Sequence, residues 1–138
     1  MRDPREVVGD YLRCLERREL DGLDDVVDEH VVVLKPNGDV AFGDRETWKR
    51  AMADEPFADV TIDVEDMVCE DGKVAVRFRL ACVQVAPVFG VEPSGRRIET
   101  SGTKVYRVND GKIVEIAGHD DIVGVLQQLG LLELELEP

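Results

Sequence analysis

Cations, sulfur and aromatic rings are all scarce in this 138-residue chain, and each shortage closes off a class of function. Lysine and arginine total 17 against 30 aspartates and glutamates, a formal net charge of -13. The acids are spread along the chain instead of collecting in a tail. Such a field repels phosphate backbones and anionic membrane faces, so neither nucleic acid nor a membrane is expected as a partner. The three cysteines, Cys14, Cys69 and Cys82, lie far apart with no Cys-x-x-Cys or Cys–His spacing. They read as buried thiols in a reducing compartment, with no disulfide framework and no metal cluster expected. No apolar run nears the roughly 20 residues a membrane helix needs. Arg2, Asp3, Arg5 and Glu6 leave no room for the apolar core of an export signal, so the cytoplasm is the expected location. Aromatics are only 5% of residues, so each one present matters for shape.

What is present is a foldable chain: 43% of residues are hydrophobic, enough for one well-packed domain. Asp3-Pro4-Arg5-Glu6 reads as a helix start, with an acid at the N-cap and proline at the first helical position. Val8, Tyr11, Leu12 and Leu15 then recur at helical spacing as one buried stripe. Asp21-Gly22 breaks that helix, and Leu23, Val26 and Val27 predict a short second one. Val31 to Leu34 is strand-like, followed by turn residues Lys35-Pro36-Asn37-Gly38. Asp44 opens a third helix carrying Trp48, Ala51 and Met52 on one side.

The remainder reads mostly as sheet. Val60, Ile62 and Val64 alternate with polar residues. Glu70-Asp71-Gly72-Lys73 turns the chain into Val74–Val83. There Val74, Val76, Phe78, Leu80 and Cys82 share one face, and Ala75, Arg77, Arg79, Ala81 and Val83 the other. A loop from Pro87 to Gly95 leads into Ile98–Val108. Asn109-Asp110-Gly111 is a strong hairpin signal before Lys112–His119. Ile122, Val125, Leu126 and Leu129 form the stripe of a closing helix with Gly130 at its C-cap. Helices first, then a long antiparallel meander, then one helix argue an α+β fold. Residues 1–131 are predicted to form a single domain. Residues 132–138 are a tail, and the alternation in Leu131–Pro138 fits an edge strand, a frayed end or an appended scar.

The most informative stretch is the strand-to-helix junction His119-Asp120-Asp121. Two acids and a histidine there can be held over a cavity, yet an acid at that spot is also what a helix needs as its N-cap. Ala117, His119 and Asp121 share strand parity if no bulge intervenes, so His119 and a carboxylate can form an acid/base dyad. The plain alternative is a rim histidine, exposed or bonded to Asp120. Arg77 and Arg79 either bind a substrate anion from the cavity side or pair outward with neighbours such as Asp63 or Glu65. Trp48, Tyr11 and Phe89 are the aromatics expected near a cavity mouth or wall; for Trp48 and Tyr11 the plain alternative is packing on the sheet, and Phe89 stands on the Pro87–Gly95 loop. His30 falls on a solvent-side turn and is given no role.

The order of these pieces resembles the SnoaL-like polyketide cyclases within the larger nuclear transport factor 2-like (cystatin-like) fold. The resemblance rests on the N-terminal helix, Gly43-Asp44-Arg45-Glu46, and the loop Phe89-Gly90-Val91-Glu92-Pro93-Ser94-Gly95-Arg96. It continues through Tyr106-Arg107-Val108-Asn109-Asp110-Gly111-Lys112-Ile113-Val114-Glu115 and Asp121-Ile122-Val123-Gly124-Val125-Leu126-Gln127-Gln128-Leu129-Gly130. It implies a cone: a curved antiparallel sheet with N-terminal helices packed on it, a short C-terminal helix, and a ligand cavity inside. A homodimer is implied too.

For function, the resemblance implies cofactor-free general acid/base chemistry, a polyketide or ester cyclase-like aldol ring closure on a small apolar carbonyl compound. No metal is used. By position in the motif, the family's catalytic aspartate falls on Asp121, with Asp120 left to cap the helix and His119 as an optional partner. Leu34 stands where the family often has histidine, and Ala117 where it often has tryptophan or another aromatic, which alters the surface a substrate stacks on. Two other functions stay open. One is isomerisation or epoxide hydrolysis on the same cone, although Arg77 and Arg79 lack an acid two residues away on their strand, and Tyr11 and Tyr106 are the only tyrosines. The other is a non-catalytic ligand-binding dimer. The cavity direction of the Asp121 carboxylate separates these readings.

Overall fold

The helices form where their local signals stand. Asp3 accepts the Arg5 N–H with its carboxylate, Pro4 follows, and helix α1 runs Pro4–Arg17 in the computed structural model, which describes residues 2–133. Val7, Val8, Tyr11 and Leu12 on its inner stripe are buried, each such side chain contributing on the order of 1.5–3 kcal/mol of burial. Arg18 ends the helix in the left-handed region at φ 54°. That conformation costs a non-glycine residue roughly 1–2 kcal/mol. The guanidinium offsets it by donating to the carbonyls of Met52, Ala53 and Phe57.

A short 3₁₀ helix over Leu20–Asp25 follows, ending before two of the residues, Val26 and Val27, that mark the predicted second helix. Val26 has already left it, and Val27 begins strand β1 (Val27–Leu34). Strand β2 (Val40–Phe42), which the residue pattern does not announce, folds back on β1. Helix α2 (Arg45–Ala53) opens at Asp44, whose carboxylate accepts the Thr47 N–H and its hydroxyl. Then come β3 (Phe57–Glu70), β4 (Lys73–Gln84), β5 (Arg97–Asn109), β6 (Lys112–Asp120) and helix α3 (Ile122–Gln128).

The six strands form one sheet in the order β2-β1-β6-β5-β4-β3. All neighbours are antiparallel except β1, which lies parallel to β6. The expected α+β architecture is therefore present, with the helices against the concave side. Val74, Val76, Phe78 and Cys82 of β4 are buried there, while Arg77 and Arg79 project outward.

One irregularity decides which way the end of β6 faces. Val108 pairs with Ile113 but Arg107 pairs with Glu115, so Val114 is an extra residue, a β-bulge. Ile113 and Ile116 are consequently both buried although three apart. From Ile116 onward the concave-facing positions are Ile116, Gly118 and Asp120. Helix α3 is then tied to β5 by reciprocal bonds: Gln128 Nε2 donates to Glu99 O at 2.7 Å, and Glu99 N donates to Gln128 Oε1 at 2.8 Å. Gly130 closes the helix at φ 78°. Leu131 to Glu133 hold no strand, and the rest of the predicted tail lies outside the described residues. Among the described residues no helix is long and apolar enough to cross a membrane.

Candidate functional site

The concave side of the sheet and the three helices enclose a cavity of about 520 Å³, within the range of small-molecule sites. Its walls are mostly apolar: Leu12 and Trp48 from the helices, Ile62, Phe78, Leu80 and Ile98 from the sheet. Tyr11 stacks on Trp48 with ring centroids 5.8 Å apart and meets Tyr106 edge-on at 5.4 Å.

A few polar groups break this wall, and the β5–β6 ladder supplies the charged pair. Asp120 projects into the cavity opposite Gly102, and Lys104 projects beside it opposite Gly118. Lys104 Nζ stands 3.5 Å from Asp120 Oδ2. Each charged side chain lies over a glycine because nothing larger fits. A Cβ on Gly102 would fall 2.7 Å from Asp120 Oδ1 and 2.5 Å from the His119 carbonyl. One on Gly118 would fall 2.9 Å from Lys104 Cδ and 2.3 Å from the Thr103 carbonyl.

The two phenols complete that region. Burial, reinforced by the negative charge of Asp120, pushes both Tyr11 and Tyr106 above the ordinary phenol range. Tyr106 and Glu55 add to the effect on Tyr11. Both therefore stay protonated as donors near neutrality. Neither hydroxyl has a protein partner among the described residues, and no buried side-chain oxygen there is left unsatisfied, so both open onto the cavity space. At the mouth, Glu55 keeps part of its surface in water. Desolvation by its neighbours still raises its carboxyl above the usual range, with Arg18 opposing. Burial likewise pushes up the Cys82 thiol on the wall.

Of the sequence-predicted site residues, Trp48 and Tyr11 line the cavity while also packing in the core. The others lie elsewhere. Asp121 and not Asp120 is the N-cap of α3: Asp121 Oδ1 accepts the Gly124 N–H at 3.0 Å. Asp120, expected as the cap, lines the cavity instead, because the bulge at Val114 aims the even-numbered end of β6 inward. His119 shares a face of β6 with Ala117, and that face is the convex one, while Asp121 lies past the strand end as the helix cap. Cross-strand pairing puts His119 in one outer row with Thr103, Arg77 and Asp66. Arg77 donates to Asp66 at 2.6 Å in that row, so it is an outer-face ion pair and not a cavity group. Arg79 pairs with Glu65 on the same side. Ala117 occupies the next outer row, beside Val105. Leu34 does not reach the cavity; Val33 of the same strand does. Phe89 is 79% exposed on its loop, away from the cavity.

Sequence reasoning missed Lys104, Asp120 and Tyr106 as cavity residues. The signal was available on β5: buried Ile98 and Tyr106 fix the inward parity, which makes Lys104 a charge on an otherwise apolar face. Among the described residues no three His, Cys, Asp or Glu side chains are grouped to hold a metal ion.

No curated protein matches the chain. Among solved structures it is similar to IdmH, a candidate polyketide cyclase from Streptomyces antibioticus, at 27% identity. The match covers 94% of this chain and 99% of that one with a TM-score of 0.81. AclR, a candidate hydroxylase from Streptomyces galilaeus, is 22% identical, covered over 94% and 86%, with a TM-score of 0.82. An epoxide hydrolase of the LEH-like kind from M. tuberculosis is 13% identical, covered over 90% and 86%, with a TM-score of 0.72. These last two share the fold. The model of the SnoaL-like polyketide cyclases matches residues 5–129, and the chain belongs to that family.

Proposed function

We propose that this protein is a cofactor-free acid/base enzyme acting on a small apolar carbonyl compound, by polyketide or ester cyclase-like aldol ring closure. One observation carries the reading: the Asp120 carboxylate projects into a cavity that is otherwise mostly apolar. Carbon next to a carbonyl is a weak acid, and a positioned carboxylate takes its proton while the C–H electron pair moves into the enolate. The enolate carbon then attacks a second carbonyl of the same molecule, and the Asp120 carboxylic acid returns the proton to the new alkoxide. Atoms balance without oxidant, reductant or metal. Asp121 supports this by capping α3, which holds Ile122 and Val125 against the cavity.

The match to IdmH, a candidate polyketide cyclase, favours ring closure over the epoxide hydrolysis named for the more distant relative. A homodimer in the cytoplasm completes the reading. Val68, Ala75, Val105 and Ala117 run in one apolar row across the convex face, with Val68 64% exposed, and a second copy would cover them.

An apolar bicyclic ketone such as α-tetralone, incubated in heavy water, tests the chemistry without the natural substrate. Wild-type protein is expected to incorporate deuterium next to the carbonyl faster than buffer alone, and Asp120→Asn is expected to return the rate to background. Equal rates in the two proteins sink the proposal.

A further inference from the structure

We propose that Lys104 is a second catalytic residue of this cavity, the cation that receives the substrate's carbonyl oxygen as it becomes an enolate. The inference rests on the proposed acid/base role of Asp120 and adds the group that stabilises the charge Asp120 creates. Removing a proton beside a carbonyl moves a full negative charge onto oxygen, which in an apolar cavity is costly unless a donor is already in place.

Lys104 meets the geometric need. Its ammonium lines the same cavity wall as Asp120, 3.5 Å away. A carbonyl oxygen and the adjacent carbon are about as far apart as two bonds, so one planar substrate edge can face both groups at once. At that separation the pair is looser than a charge-assisted hydrogen bond of about 2.8 Å. Apart from its ion pair with Asp120, the Lys104 ammonium makes no side-chain hydrogen bond among the described residues, which leaves donors for a ligand. On the same inward face Tyr106 follows Lys104 by two residues, and its phenol, kept protonated, is a further donor lining the same cavity. Gly118 keeps the lane in which the Lys104 stem lies, because any side chain there would meet Lys104 Cα and Cδ within 2.9 Å. The substrate class sharpens accordingly: a compound whose reacting carbonyl lies at a flat, otherwise apolar edge, so that oxygen reaches Lys104 while the neighbouring carbon reaches Asp120. No bond to Lys104 forms. Its ammonium only donates a hydrogen bond, and every proton transferred passes through Asp120.

Two measurements test this. In the deuterium-exchange assay with α-tetralone, Lys104→Met is expected to lower kcat at least about tenfold with little change in KM, and Lys104→Arg to restore most of the rate. The second measurement needs no turnover: 2-naphthol, whose ionised oxygen mimics the enolate, is bound to Asp120→Asn protein and its ionised fraction read from absorbance. The double variant Asp120→Asn with Lys104→Met is expected to bind the neutral form only. Unchanged exchange together with unchanged naphthol ionisation overturns the assignment of Lys104. Slowed exchange with unchanged ionisation overturns it too, since Lys104 would then act only by positioning Asp120. If wild-type protein shows no exchange at all, the acid/base reading fails while the naphthol measurement still decides Lys104. Should Lys104→Met fail to fold, Lys104→Gln replaces it in both arms.

Discussion

Replacing Gly102 by alanine tests the site through a single methyl group. The new Cβ would lie 2.5 Å from the His119 carbonyl, 2.7 Å from Asp120 Oδ1 and 3.0 Å from Phe78 Cζ. Two of those neighbours can yield, the carboxylate by rotating and the ring by tilting, but the carbonyl belongs to the β5–β6 ladder and cannot. Overpacking of this kind costs about 1–3 kcal/mol. The smaller entropy of the unfolded alanine chain returns roughly 0.4–1 kcal/mol. The net loss is on the order of 1–2 kcal/mol, or about 4–8 °C in Tm for a domain of this size. Exchange activity should fall further than stability does, because the displaced group is the proposed base. Gly43→Ala is the control, since nothing lies within 4 Å of a Cβ built there. Calorimetry and the deuterium assay read both effects. If Gly102→Ala melts with the wild type and keeps its rate, the close packing around Asp120 described above is wrong.

Three further outcomes follow from particular contacts. Asp121→Ala should lower stability by about 1 kcal/mol in a denaturant melt, and Asp121→Asn by only a few tenths, because asparagine also caps helices. Burial raises the Glu55 carboxyl in the folded state, so the folded protein holds that proton more tightly than the unfolded chain. Its contribution therefore turns unfavourable as pH rises from the ordinary carboxylate range through the raised value. Glu55→Gln should accordingly raise Tm at pH 7 and leave it unchanged below about pH 4, where both states carry the proton. Val68→Arg places charge in the convex apolar row. It should convert a sedimenting dimer to a monomer without lowering exchange, and a wild type that sediments as a monomer refutes the pairing.

The parts of the fold governed by neighbouring residues were legible in the sequence. Asp3, Pro4 and Asp44 mark their helix starts by local bonds, and the alternation from Val74 to Cys82 marks the buried face of β4 by a period of two. The site was harder, because one bulge resets that period. With Val114 inserted, the strand end turns Asp120 inward and Asp121 toward the helix. Two adjacent acids at a helix start are chemically equivalent as caps, so residue type alone cannot choose between them. The aspartate placed by family position, Asp121, and the aspartate that lines the cavity, Asp120, are one residue apart for this reason. Leu34 and Val33 differ more simply: they are neighbours on β1, whose side chains alternate, and Val33 holds the inward position. The alternation on β4 already puts Arg77 on the face opposite the buried one; its partner there, Asp66 on β3, is what no local pattern on β4 reveals.

Asp120→Asn and Asp121→Asn compared side by side in the α-tetralone exchange assay test the central claim most directly. Both substitutions preserve shape, and the second also preserves a helix cap. Loss of at least about a hundredfold in rate for Asp120→Asn, with Asp121→Asn within a fewfold of wild type, is the predicted result. The reverse order, with Asp121→Asn inactive and Asp120→Asn active, contradicts it.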